Sequence, residues 1–277
     1  MSTLLAFYWF LLVLLASRLL LILRDEPLSR RQALGLSLLQ AVGLLAAAPS
    51  PWLPPLLLVI VAANLLGVWW ERRHPPRAGL SRLAVLAVIA AAAGVAYAPA
   101  HGIVISPVLV AAGDWLDRHF LFFAADGLGG GAGFAPGAAL PVIGGALLVM
   151  HEANLLIRVV LQQIRVVPHP RAGEAAGQPS AQPPLILPPR RPGESPQRLD
   201  VREYNAGRFI GVLERLLTYT FVLQGQYMAI GLILAAKGFS RFREMDQRDF
   251  AEYVLIGTLL SMASAVLIAE VVKALLP

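Results

Sequence analysis

Near the middle of the chain, His151, Glu152, Asn154 and Arg158 interrupt an apolar run. Ionisable groups in such a run are costly to bury and usually serve an ion path, a proton relay or a pairing that supports one. On an ideal helix, His151, Asn154 and Arg158 fall at i, i+3 and i+7 and share a face, whereas Glu152 points about 100° away and needs a different neighbour. His151-Glu152 has the opening of the His-Glu-x-x-His zinc-peptidase signature, but Leu155 stands where the second histidine belongs, so that chemistry is not expected. Two roles remain open: a polar site inside a helix bundle, or an interhelical hydrogen-bond network that holds the bundle together.

A second group lies in the long apolar segment 209–236 and just before it. Arg208, Gly211, Arg215, Thr218 and Val222 share a helical face, with Glu214 beside it. Adjacent helix positions do not face each other, so Glu214 and Arg215 each need a partner elsewhere. Glu152 with Arg215 and Glu214 with Arg158 are the plausible pairs. Gln224, Gln226 and Tyr227 supply further hydrogen-bonding groups around Gly225. One intramembrane polar site is therefore expected from His151, Glu152, Asn154, Arg158, Glu214, Arg215, Gln224 and Gln226. A third group, Lys237, Arg241 and Arg243, suits an anionic headgroup or phosphate, because guanidinium groups bind phosphate bidentately; the competing reading is a solvated basic loop. Gly207 and Gly211 form a small-x-x-x-small step, and Gly257, Ser261 and Ser264 a second small-residue face, both suited to close helix packing.

No Ser-His-Asp arrangement, catalytic carboxylate pair or metal-ligand spacing is present. The chain has no cysteine, which excludes disulfides, thiolate catalysis and iron–sulfur ligation. No cofactor or metal is expected.

These residues must be held by apolar elements. The chain has 277 residues, 57% hydrophobic and only 14% charged, against about 25% charged in soluble domains. Apolar runs close to a bilayer thickness cover 3–23 (interrupted only by Ser17 and Arg18), 33–48, 53–70, 83–98, 140–161, 209–236 and 253–276. The expected fold is all-α: a polytopic transmembrane helix bundle of about seven membrane segments, one of them re-entrant or broken. Arginines gather in alternate connections, at Arg24, Arg30 and Arg31, at Arg72, Arg73, Arg77 and Arg82, and again after residue 164. Positive loops face the cytoplasm, so the N-terminus is expected outside. The formal charge of +6 then reflects topology and attraction to anionic lipid rather than nucleic acid, which is not expected as a partner.

As one helix, 209–236 would be about 40 Å long at 1.5 Å per residue, more than a core of about 30 Å. A single crossing would also put the basic stretch 237–248 outside. A break near Gly225 with both ends cytoplasmic resolves both conflicts; one long tilted helix is the alternative.

The chain thus divides into a four-helix transmembrane region (1–98), an extracytoplasmic loop with an amphipathic stretch at 108–123 and a glycine-rich run (99–138), a fifth helix (139–163), a disordered proline-rich cytoplasmic linker (164–204) and a C-terminal membrane module (205–277). Pro189-Arg190-Arg191-Pro192 has polyproline II docking spacing, so a protein partner could engage the linker or the outer loop.

The last third resembles an uncharacterised family of bacterial multi-pass membrane proteins. The likeness rests on Ile210-Gly211-Val212-Leu213-Glu214-Arg215, on Ala235-Ala236-Lys237 with Arg241-Phe242, and on the run from Glu252-Tyr253 through Gly257-Thr258-Leu259-Leu260-Ser261. It covers about a quarter of the chain, and the family's opening His-x-x-x-Asp-Phe-x-x-Gln motif is missing here. The resemblance implies a bacterial plasma-membrane location and no particular activity. The expected function is a transporter-like, channel-like or partner-binding membrane component. Alternatives are a membrane-embedded enzyme acting on an anionic lipid or polyprenyl phosphate, and an assembly or regulatory subunit.

Overall fold

Helix boundaries follow local chemistry. Ser29 opens a helix with a complete capping box, its side chain accepting from the Gln32 backbone while the Gln32 side chain accepts from the Ser29 backbone. Pro54 and Pro55 occupy the first turn of the next helix, where a missing N–H is harmless. The computed structural model describes residues 2–21, 28–46, 50–74, 77–101, 106–120, 138–164, 185–187, 197–199, 201–240 and 248–276. In chain order these form α1 (Ser2–Arg18, then a 3-10 turn Leu19–Leu21), α2 (Arg30–Val42, then Gly43–Ala46), α3 (Leu53–Arg73), α4 (Ala78–Ala96) and α5 (Pro107–Phe120). Then come α6 (Ala139–Leu147), a π turn (Leu148–Glu152), α7 (Ala153–Ile164), α8 (Val201–Leu223), α9 (Tyr227–Ser240) and α10 (Arg248–Leu275).

The bundle is wholly helical. Five of its helices are long and apolar enough to cross a membrane: Leu4–Leu21, Leu53–Arg73, Ala78–Ala96, Ala139–Leu161 and Val254–Leu275. This is compatible with a multi-pass membrane protein. Two of the seven expected segments are not among them. The run 33–48 yields only the 13-residue α2 and its short 3-10 extension. The run 209–236 is split between α8 and α9, and α9, with 14 residues, spans only about 21 Å.

The split has a clear cause. Gly225 adopts φ +71°, the left-handed region that glycine tolerates without a Cβ penalty. Gln226 N–H donates to Phe221 O at 2.7 Å and Gly225 N–H to Val222 O at 3.0 Å, the bond pair of a Schellman C-cap. The chain then reverses, and Lys237 on α9 meets Glu214 on α8.

Two cores flank the central α6–π turn–α7 rod. On one side Phe10, Leu14, Ile60, Ile89 and Tyr97 join α1, α3 and α4. On the other Val149, Tyr219, Val222, Ala265 and Ala269 join the rod to α8 and α10. Close approach is set by two glycines that sequence pattern did not single out. A Cβ at Gly67 would stand 2.6 Å from Val85 Cγ2, and one at Gly145 would stand 2.7 Å from Val272 Cγ2 and nearer still to the Tyr219 hydroxyl. The outward faces keep large apolar side chains in the open, among them Leu38, Leu58, Leu66, Leu232 and Leu267. At opposite ends of α3, Trp52 stacks on His101 at 3.9 Å and Trp70 on His74 at 4.4 Å. Eighteen residues separate these tryptophans, about 27 Å of helix, near the thickness of a hydrocarbon core.

A helix, α5, covers the described part of the stretch 108–123, and its Asp117 accepts from Ala139 N–H at 2.8 Å, capping α6. The glycine-rich run lies outside the described residues. So does most of the proline-rich stretch, where the described pieces, Leu185–Leu187 and Gln197–Leu199, pair as a short antiparallel ladder in a region the sequence reading left without structure.

Candidate functional site

The π turn is the hub of the polar interior. Ala153 N–H donates to Leu148 O, five residues back, so it is drawn away from Val149 O, its α-helical acceptor. Arg215 Nε, from α8, donates to Val149 O at 3.0 Å. Such re-satisfaction by a neighbouring helix is what makes an irregular turn tolerable where water is scarce. The extra residue also resets the helical phase, so that Val149, His151 and Glu152 are all buried.

Glu152 takes a partner from the first helix. Arg18 Nε donates to Glu152 Oε1, and Arg18 Nη2 donates both to Glu152 Oε2 at 3.2 Å and to Arg82 O at 2.9 Å. This fork-like geometry is the strongest form of carboxylate–arginine contact. Arg18 is 1% exposed, so neither charge is solvated and each depends on the other. Arg82 in turn donates from Nε to Glu71 Oε1 at 3.1 Å. A ladder of neutral groups continues beside them: Asn64 Nδ2 donates to Gln40 Oε1 at 2.8 Å and to Ser37 Oγ at 3.1 Å, and Gln40 Nε2 donates to Ser17 Oγ at 3.2 Å. The result is a pair of buried ion pairs, Glu71–Arg82 and Arg18–Glu152, joined through the Arg82 carbonyl into one chain that reaches Arg215 through the π turn.

A small cavity of about 20 Å³ lies against this chain, lined by Arg18, Asn64, Gly67, Glu71, Arg82 and Val85. It has room for about one water molecule. Among the described residues, Glu71 Oε2 is a buried atom without a hydrogen-bond partner.

The expected pairings are corrected. Glu152 binds Arg18 rather than Arg215, and Glu214 binds Lys237 rather than Arg158. Two physical reasons combine: the π turn re-aims Glu152, and the hairpin at Gly225 brings Lys237 back to Glu214. His151 lies 3.7 Å from Glu152, Nε2 to Oε1, so these two belong to one cluster. Asn154 and Arg158 are half-buried further along α7. Gln224 and Gln226 are not brought to the site, because they sit at the hairpin tip, about 15 Å of helix beyond Arg215. Lys237 is engaged by Glu214, while Arg241 and Arg243 lie outside the described residues. Gly207 and Gly257 face open space, and the Cβ position of Gly211 meets only Arg215 Nη1, at 3.7 Å. Among the described residues, these three glycines seat no neighbouring helix. Ser261 and Ser264 are buried on α10. Near the end of α10, Glu270 and Lys273 join Tyr227, which donates to Glu270 at 2.6 Å and accepts from Lys273 at 3.0 Å.

Sequence reasoning missed Arg18, Gln40, Asn64, Glu71 and Arg82. The signal was there: Arg18, Gln40 and Asn64 each interrupt or end an apolar run, the same criterion that selected His151.

No family model, curated protein or solved structure matches this chain. The C-terminal likeness to a bacterial membrane family therefore has no match behind it.

Proposed function

We propose that the chain is an integral, multi-pass protein of the bacterial plasma membrane and is transporter-like, moving a proton or small ion past its buried charges. The observation that carries this reading is the Glu71–Arg82–Arg18–Glu152 chain, sealed inside an apolar bundle and joined through the π turn to Arg215. Ionisable groups kept at such cost mark ion and proton paths. The outward leucines and the tryptophans at both ends of α3 suit a bilayer. The arginine-rich ends of α2, α3 and α4 suit the cytoplasmic face, leaving the N-terminus outside and anionic headgroups in contact with the basic loops.

The test is reconstitution into liposomes carrying an internal pH- or ion-sensitive dye. Expected is flux above protein-free liposomes that is lost in Glu152→Gln. Flux no greater than in empty liposomes, under both proton and cation gradients, overturns the transport reading. It would leave a partner-binding or assembly component, with the exposed Met228, Leu232 and Phe239 of α9 as its contact face.

A further inference from the structure

α5 lies across one end of the bundle. Its Leu109 packs against the core shared by α1, α3 and α4. Its Leu116 packs against Ala138 and Ala139 at the start of α6 and Leu276 just after α10. α4 finishes nearby, and His101 beyond it stacks on Trp52, just before α3. The starts of α3 and α6 and the ends of α4 and α10 therefore gather at α5, away from Arg72 and Arg73 at the other end of α3. α5 is not a crossing. Its 14 residues span about 21 Å against a hydrocarbon core of about 30 Å, and Asp114 and Arg118 are exposed on it.

Successive residues on a helix point about 100° apart, and three lines of side chains on α5 meet three different surroundings. Leu109 and Leu116 face the bundle. Val108 and Trp115 form the next line, and they are 74% and 51% exposed. Pro107 and Asp114 form the third, joined by Arg118, whose Nε donates to Asp114 O at 3.0 Å; all three are exposed. An apolar flank thus runs between the packed face and a polar ridge. His119 stacks on Trp115 at 4.6 Å, which steadies the indole while leaving half of it open.

The size and position of this flank decide what covers it. A second copy of the chain would gain little from it, since two large side chains fall far short of the roughly 800 Å² per partner of a standard interface. The headgroup–acyl boundary of a bilayer fits. There a surface helix sinks its apolar side into the acyl region while its polar ridge stays in water, and tryptophan is favoured. Trp52, 41% exposed, stands at the same end of the bundle, so Trp115 continues an aromatic rim already present. We infer that α5 is an interfacial helix whose Val108–Trp115 flank docks on the lipid surface at the end of the bundle opposite the arginines, with Asp114 and Arg118 turned to water. The inference rests on the membrane reading above and is independent of transport.

The test is spin-label accessibility of the full chain in phosphatidylcholine vesicles. Nitroxides are placed on single cysteines at Val108, Asp114 and Arg118, with Leu66 on the outward face of α3 as reference. Expected is stronger relaxation by oxygen than by a water-soluble nickel chelate at Val108 and Leu66, and the reverse order at Asp114 and Arg118. Chelate access at Val108 equal to that at Arg118, with Leu66 still in lipid, overturns the inference and leaves the membrane reading standing. Chelate access at Leu66 as well removes both. Spin–spin broadening between labels at Val108 would name a second copy as the occupant and also overturns it. Trp115 gives a check without any cysteine. The emission lost in Trp115→Phe is expected to be emission that lipid brominated high in its acyl chains quenches, and the inference fails if that difference emission is not quenched.

Discussion

Arg18 and Glu152, separated by 134 positions in the chain, meet in a bidentate ion pair closed off from solvent on both sides. The pair ties α1 to the π turn of the central rod, and the same turn receives Arg215 from α8. One irregular turn thus joins the two halves of the bundle.

Removing one partner of this pair leaves a buried, uncompensated charge. Arg18→Leu is expected to destabilise the fold by about 3 kcal/mol or more, whereas Arg18→Leu combined with Glu152→Leu recovers much of the loss. Thermal unfolding of the single and double variants in detergent checks this. Equal losses for single and double variants would show that the two residues do not act as a pair.

The α8–α9 hairpin rests on a special backbone at Gly225 and on the Glu214–Lys237 ion pair. Gly225→Ala is expected to cost about 1 kcal/mol, because alanine is strained at φ +71°, while Gly225→Asn is milder. Reversing the pair, with Glu214→Lys and Lys237→Glu together, restores thermal stability lost in either single variant. Failure of the double reversal would argue that the helices are held by apolar contact alone.

Glycines should divide by their surroundings. Gly145→Ala drives a methyl into Tyr219 and Val272 and is expected to cost about 1–3 kcal/mol, whereas Gly257→Ala, facing open space, is expected to be neutral in the isolated protein. Comparing the two melting temperatures is the check. A large loss at Gly257 with none at Gly145 would reverse this packing.

Orientation can be read directly because the chain has no cysteine. Single cysteines at Ser50 and Ser240, exposed to an impermeant thiol reagent in spheroplasts, are expected to label at Ser50 only. Labelling at Ser240 from outside would place the two ends of the 209–236 segment on opposite faces and contradict the proposed topology.

The helical class and most of the apolar segments were legible because long apolar runs with arginine-rich connections have few other solutions. The turn at Gly225 was legible too, from a glycine midway along a run too long for one crossing. Glu152's partner was not. Its direction depends on a π turn, and nothing in Leu148–Glu152 departs from ordinary helical composition, so regular periodicity pointed the carboxylate towards α8. Arg18, Gln40 and Asn64 were visible as polar breaks in apolar runs, but only tertiary packing shows that they converge. Gly67 and Gly145 were obscure for the same reason: a glycine's role in close approach depends on what stands opposite.

The π turn makes the protein unusually sensitive to the length of its central rod. With one residue more than an α-helix would use, everything from Ala153 onwards is rotated by about 100° relative to an uninterrupted helix. Deleting a single position within Leu148–Glu152 would let the rod relax to regular winding. That one change would swing the carboxylate away from Arg18, return the Val149 carbonyl to its own helix and leave Arg215 without its acceptor. A deletion of one codon would thus undo at a stroke what no single substitution can.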